Sequence, residues 1–429
     1  MTGQGGQDGT PAAGRAGTGQ VFRRRVFYIP GFDPFPPRRY RELYRSEAML
    51  QVQVSGYELH VRAQPGSGGC GWSVAARIPE PELAPERPDG MTDAEVVVLT
   101  WSAIVRGSMR HGIVATYAQL LRTAWIYLST GAFQRLVHLR RGPVLAALYP
   151  FAVLLGQAAL ALVFGALAAG LVGPWLGAGA ALATALGAGW LVLAGFRRID
   201  NRIFAYYLMH DFAFAARQRG AYPEPLETFI AGAADRIAAA LSDPVDEVLV
   251  VGHSAGAHLA ISALAGLLRD GRLAGAKPQV ALLTLGQGVP MLTFLPRAER
   301  LRADLHDLAA AHDRVFWLDV TAPADGCCFA LCDPVAVSGV APAGGKGPLV
   351  LSAAFSQTLS PRRWRALRRR YWRLHFQYLC AFDRPGHYDY FRLTAGPVTL
   401  ARRYRGKAAS PGRRTAPRSR YRTRAGAAT

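Results

Sequence analysis

The chain has 429 residues and 50 Lys and Arg against 29 Asp and Glu, a formal net charge of +21. Half of it is hydrophobic, which excludes wholesale disorder, and the length is ample for one large domain or two ordinary ones. Five unevenly placed cysteines are too few for a disulfide framework and point to a reducing compartment.

Residues 1–20 are mostly Gly, Gln, Thr and Ala, with no apolar core of signal-peptide length, and read as a disordered tail. Val26-Phe-Tyr-Ile29 is a buried-strand run that stops at Pro30-Gly31. Residues 51–63 and 72–78 read as a β-hairpin around the turn-forming 64–69 segment, and 96–101 as a further strand. The first part of an α/β domain thus occupies 21–141.

Residues 142–196 contain no charge over 55 positions. A membrane span needs about 20 apolar residues, so this run is too long for one span and suits two. The expected break is Gly170-Leu-Val-Gly173-Pro174, between helices over about 144–171 and 176–196. Neither shows the polar stripe of a soluble core helix. Arg135, Arg140 and Arg141 precede the run and Arg197, Arg198 and Arg202 follow it, which places both flanks, the termini and the α/β domain they belong to on the cytoplasmic side of a cell membrane. With no Asp, Glu, Lys, Arg or His inside, the segment reads as an anchor rather than an ion path.

The remainder, 197–400, alternates helical and strand patterns. A helical face runs through Leu226, Phe229, Ile230, Ala233, Ile237 and Leu241. Strand runs follow at 247–251, 280–285, 314–320 and 348–355, with a helix over 297–311. This order predicts an α/β fold with a mostly parallel sheet covered on both faces. Seven arginines between Arg362 and Arg373 are mixed with Trp364, Tyr371 and Trp372, a blend suited to a membrane interface. Residues 401–429 carry ten Lys and Arg and no acid, and read as a disordered tail drawn to anionic lipid head groups. Lacking a recognisable nucleic-acid-binding fold, the tail is not expected to bind nucleic acid.

Directly after the 247–251 strand stands Gly252-His253-Ser254-Ala255-Gly256, followed by the helical run 257–268. A G-x-S-x-G set on a strand, sharp turn and helix lifts the serine hydroxyl above the sheet. It also aims the Ala255 amide at the place where an oxyanion forms, at the start of a helix whose dipole favours negative charge. On these residues the chain resembles the α/β-hydrolase superfamily, in particular its lipase- and esterase-like serine hydrolases. The stretch 26–34 is similar to the strand and turn that supply the second oxyanion donor there, here with Pro-Gly, which makes the Phe32 amide the candidate. The resemblance implies a Ser, acid, His order of catalytic residues. It favours Asp325 in the loop after the 314–320 strand, with Asp319 and Asp333 as alternatives.

Two histidines follow the last strand. His375 has apolar neighbours that would keep its imidazole neutral, and His387 lies in a Pro-Gly loop. His375 is preferred and His387 stays open. His253 and His258 read as lining or packing residues. Cys327, Cys328 and Cys332 lack the spacing of a metal site, so neither metal nor organic cofactor is expected. The chain thus reads as a membrane-anchored serine hydrolase cleaving an ester of a lipid, another amphiphile or a small molecule through Ser254. The alternative is a non-catalytic membrane scaffold or assembly protein of similar fold.

Overall fold

A computed structural model of the chain describes residues 19–64, 71–109 and 112–426. Most of the expected N-terminal tail and of the 64–69 turn lies outside these residues. The centre is an eight-stranded sheet built from β1 (Arg23–Ile29), β2 (Glu58–Ala63), β3 (Gly71–Arg77), β4 (Met91–Val98), β5 (Glu247–His253), β6 (Gln279–Leu285), β7 (Val315–Thr321) and β8 (Leu349–Ser352). Their order is β2-β3-β4-β1-β5-β6-β7-β8. Pairing is parallel from β4 through to β8, and antiparallel for β2 with β3 and β3 with β4. The architecture is α/β, as the strand–helix alternation predicts.

The central strands read as unbroken apolar runs because both faces are covered. Alternate residues serve opposite layers. Phe27, Ile29, Val248 and Val250 pack under the helices Glu224–Ala240, Gly256–Arg269 and Glu299–Ala310. Val26, Tyr28, Leu249 and Val251 face the layer formed by the Arg38–Ser55 helix and residues such as Tyr378, Phe382 and Tyr390. Each such side chain contributes roughly 1.5–3 kcal/mol on burial.

Three expectations are corrected. Residues 51–55 are not strand: they finish the Arg38–Ser55 helix, which buries Tyr40, Tyr44, Ala48 and Gln51 and stops at Gly56 in the left-handed region. The apolar run 142–196 is not divided at 170–174. The helix that begins at Arg141 passes through Pro174 and breaks instead at a kink at Gly177, with φ 80° and ψ 174°, after which helix continues to Arg198. Pro174 removes one backbone donor, whereas Gly177, without a Cβ, takes a conformation closed to other residues. On either side of Gly177 the backbone returns against itself, since a Cβ on Gly165 would lie 2.8 Å from the Ala185 carbonyl oxygen and one on Gly189 would lie 3.3 Å from that of Ala161. The helix is long and apolar enough to cross a membrane.

Third, residues 401–426 are not a loose tail. Arg414 donates its amide to the Leu331 carbonyl, Arg418 to Val337 and Ala425 to Glu299, which straps the basic segment across the domain.

β1, β5 and the 396–400 segment are joined by a fully buried ion pair. Arg24 Nε meets Glu247 Oε2 at 2.7 Å, with both side chains wholly inaccessible. The guanidinium also donates to the Gly396 and Val398 carbonyls, and Glu247 accepts the Leu400 amide. Truncating one partner strands the other charge in the core. Arg24→Met is therefore expected to destabilise the fold by about 3–5 kcal/mol in denaturant titrations. A loss below about 1 kcal/mol would show that the pair is not holding this corner.

Candidate active site

The sheet register sets Ile29 opposite Gly252, so β1 and β5 end side by side. There the chain turns so tightly that a Cβ on Gly256 would lie 2.1 Å from the Ile29 carbonyl oxygen, and one on Gly252 would lie 2.6 Å from Ala257 Cα. Larger residues at either position would push the strand and helix apart. Ser254, between them, sits at φ 56°, a left-handed conformation uncommon outside glycine. The Ser254 amide donates to the Leu285 carbonyl at 2.9 Å, which pins the turn to the end of β6.

Ala255 caps the fourteen-residue helix Gly256–Arg269. Neither its amide nor that of Phe32 donates to a protein acceptor among the described residues. Gly31 adjoins the serine, since a Cβ there would lie 3.0 Å from Ser254 Cβ and 3.4 Å from Oγ. The 30–35 loop is clamped from several sides. Trp101 Nε1 donates to the Pro30 carbonyl at 2.9 Å, the Tyr207 hydroxyl donates to the Phe32 carbonyl, and Asp33 accepts from the Phe35 amide and the Tyr40 hydroxyl. With the Phe32 carbonyl held, its ring packs among Trp101, Tyr207 and Phe214.

The structure pairs His375 with Asp325, Nδ1 to Oδ2 at 2.8 Å, and both are buried. Asp325 Oδ2 also accepts from the Tyr378 hydroxyl at 3.0 Å, and Oδ1 from the Cys327 amide at 2.9 Å. Burial alone would raise this carboxyl's pKa. The His375 charge and hydrogen bond, with those of Cys327 and Tyr378, outweigh it and hold the group below its ordinary value. An ionised Asp325 keeps the proton of His375 on Nδ1 and leaves Nε2 as the basic nitrogen.

Gly286, directly after the acceptor of the Ser254 amide, faces the imidazole: a Cβ there would lie 3.2 Å from His375 Cε1. Among the described residues no hydrogen bond joins Ser254 Oγ to His375. Such bonds are often long before substrate is bound. The His253 ring packs at a tilt 4.9 Å from the His375 ring and donates Nε2–H to the His375 carbonyl at 3.0 Å. Desolvation drives the His253 pKa down to about 3, so it stays neutral and acts as a prop.

The other candidates lie elsewhere. His387 is exposed against Lys407. Asp319 is inside β7, accepting from Thr284 at 2.6 Å. Asp333 caps the short Pro334–Val337 helix. His258 is buried against Tyr222. Asp325, Cys327 and His375 present ligand atoms within 4.8 Å of one another, a composition zinc accepts. Here, however, the carboxylate and imidazole bond to each other, and burial first, then Asp325 and Asp211, push the Cys327 thiol up.

Two residues were not foreseen. Tyr378 stands one helical step from His375, and the His-x-x-Tyr spacing is its sequence signal. Asp211, on the Ala205–Ala216 helix, lines the cavity of about 90 Å³ that also holds Ser254, Ala255, Trp101 and Met291. Nothing in the surrounding sequence marks it. Desolvation raises its carboxyl to about 7, against the opposing pull of His375.

No protein-family model matches the chain, and no curated protein or solved structure matches it either.

Asp211 gives the cavity a pH signature. Between about pH 4 and pH 7 the unfolded chain ionises this residue while the folded protein keeps it protonated, so its contribution to stability falls as pH rises through that window and is flat above it. Asp211→Asn is expected to gain stability relative to wild type progressively from pH 4 to pH 7 in urea titrations. An offset independent of pH would contradict the raised pKa.

Proposed function

We propose that the chain is a membrane-anchored serine hydrolase of α/β-hydrolase type that cleaves carboxylic esters of amphiphiles. The observation that carries this reading is Ser254 in a left-handed turn between β5 and a helix, with the His375–Asp325 pair facing Gly286 beside it. In the reaction, Ser254 Oγ attacks the ester carbonyl carbon and its proton passes to His375 Nε2. The tetrahedral oxyanion is received by the Phe32 and Ala255 amides, at roughly 3 kcal/mol per donor. The carbon–oxygen bond to the alcohol breaks and the alcohol leaves with the proton from His375. Water then attacks the acyl-serine, gives its proton to His375, and the free acid departs as Ser254 is restored.

Two spans, hinged at Gly177, account for the close approaches of Gly165 to Ala185 and Gly189 to Ala161. The basic flanks support a cytoplasmic position for the proposed catalytic domain. The Ile113–Ser129 helix supports apposition to lipid, because Val114, Leu121, Trp125 and Leu128 form an exposed apolar stripe along it. Apolar walls around Ser254, including Trp101, Phe212, Leu226 and Met291, suit an acyl chain. The chemistry requires no cofactor.

Hydrolysis of p-nitrophenyl butyrate by the full-length protein in nanodiscs tests the assignment. Asp325→Asn is expected to lower kcat on the order of 10⁴-fold, His375→Ala at least as much, and His387→Ala less than twofold. Absence of turnover in the folded wild type would favour the non-catalytic scaffold, and an equal loss on changing His387 would contradict the assignment of the base.

A further inference from the structure

A second cavity, of about 720 Å³, lies on the other side of the Asp325–Cys327 loop. Its walls come from three separate stretches: the foot of the Arg141–Arg198 helix (Gly142, Leu145, Ala146, Tyr149), residues 202–208, and residues 369–373. Gly326 and Cys327 form part of the same wall, and Cys327 also lines the Ser254 cavity, so a single loop separates the two. Arg202, Arg369, Arg370 and Arg373 line it, and no acidic residue does. Among the described residues none of these four guanidinium groups has a carboxylate partner. Trp372 faces Phe204 and Tyr207 across the cavity's edge, with ring centroids 6.4 and 6.3 Å apart, and Tyr207 in turn touches Phe32.

Four like charges gathered around one concavity repel one another unless an anion sits among them, and arginine's planar fork suits phosphate oxygens. The remaining wall is apolar and begins the helix that enters the bilayer. We infer that this cavity binds the net-anionic phosphate headgroup of a membrane lipid whose ester is presented to Ser254. The inference rests on the hydrolase reading for its catalytic half, but the binding half stands independently. Charge and apolar surface meet here as they do in an anionic phospholipid, with the tail toward the Arg141–Arg198 helix and the ester toward the Asp325–Cys327 loop.

The test separates binding from catalysis. Full-length Ser254→Ala protein in nanodiscs of phosphatidylcholine is titrated calorimetrically with dihexanoyl phosphatidylglycerol, dihexanoyl phosphatidylcholine and glycerol phosphate. The same titrations are run after adding Arg369→Gln with Arg370→Gln, or Arg62→Gln with Arg236→Gln, an exposed pair that removes the same charge elsewhere. The expected result is about tenfold tighter binding of the glycerol than the choline lipid, lost with the cavity pair and kept with the control pair. Equal affinity for the two lipids, or equal loss with both pairs, would overturn the inference. Binding of glycerol phosphate as tight as that of the lipid would overturn the lipid source and assign the cavity to a soluble phosphate ester. p-Nitrophenyl butyrate turnover by the wild-type protein is measured alongside. Turnover without headgroup preference defeats this inference alone, whereas headgroup binding without turnover defeats the hydrolase reading alone.

Discussion

Backbone-to-backbone contact between the end of β1 and the turn after β5 is the constraint on which the rest of the site depends. Gly256 packs on the Ile29 carbonyl so closely that no Cβ fits, and Gly252 is closed in the same way by Ala257. With both neighbours fixed, Ser254 is left at φ 56°, and its side chain stands beside Gly31. The same approach sets Gly31, the neighbour of Phe32, against Ser254, and neither the Phe32 nor the Ala255 amide has a protein acceptor among the described residues. Around this turn the polar groups form a chain: the His253 imidazole supports the His375 carbonyl, His375 bonds Asp325, and Asp325 is held in turn by Cys327 and Tyr378. Backbone strain of the kind Ser254 shows persists where surrounding structure over-determines it, and such residues concentrate at functional sites.

Much of the sheet was legible in the sequence because parallel strands buried on both faces leave continuous apolar runs. Residues 247–251 and 280–285 are examples, and both lie within strands that are almost entirely buried. The Gly-His-Ser-Ala-Gly turn was legible for a related reason, since the two glycines answer a steric demand that local sequence records. Elsewhere the deciding information is tertiary. Val52 and Val54 alternate as a strand would, yet they end a helix whose buried face contains glutamate and glutamine as well as tyrosine. Asp319, Asp325 and Asp333 are all plausible before the fold is known, and only the approach of residues 371–379 to the loop after β7 sets Asp325 beside a histidine. The basic C-terminal segment looks unanchored by composition, but its backbone bonds to the carbonyls of Leu331 and Val337, which no sequence pattern announces. Asp211 falls in the same class, as an ordinary helical residue until packing carries it to the serine cavity.

The apolar helix and the proposed catalytic elements meet at one place. The foot of the Arg141–Arg198 helix, the 202–208 segment and the 369–373 segment surround a cavity whose inner wall is the loop bearing Asp325. A substrate arriving along the helix would therefore meet arginine before it met serine. On the proposed reading, anchoring and specificity become two consequences of one arrangement, because the proposed membrane anchor also lines the route to the proposed nucleophile. The exposed stripe of the Ile113–Ser129 helix extends the exposed apolar surface beyond the long helix itself.

The central claim is that Ser254 is an activated nucleophile, and its covalent capture tests this most directly. Full-length protein in nanodiscs would be treated with a small fluorophosphonate and digested, and the modified peptide located by mass spectrometry. The account predicts one stoichiometric phosphonyl adduct on Ser254, absent from Ser254→Ala and slowed on the order of 10⁴-fold by Asp325→Asn. A folded protein that takes up no adduct at Ser254, or is modified equally fast when Asp325 is replaced, would contradict it.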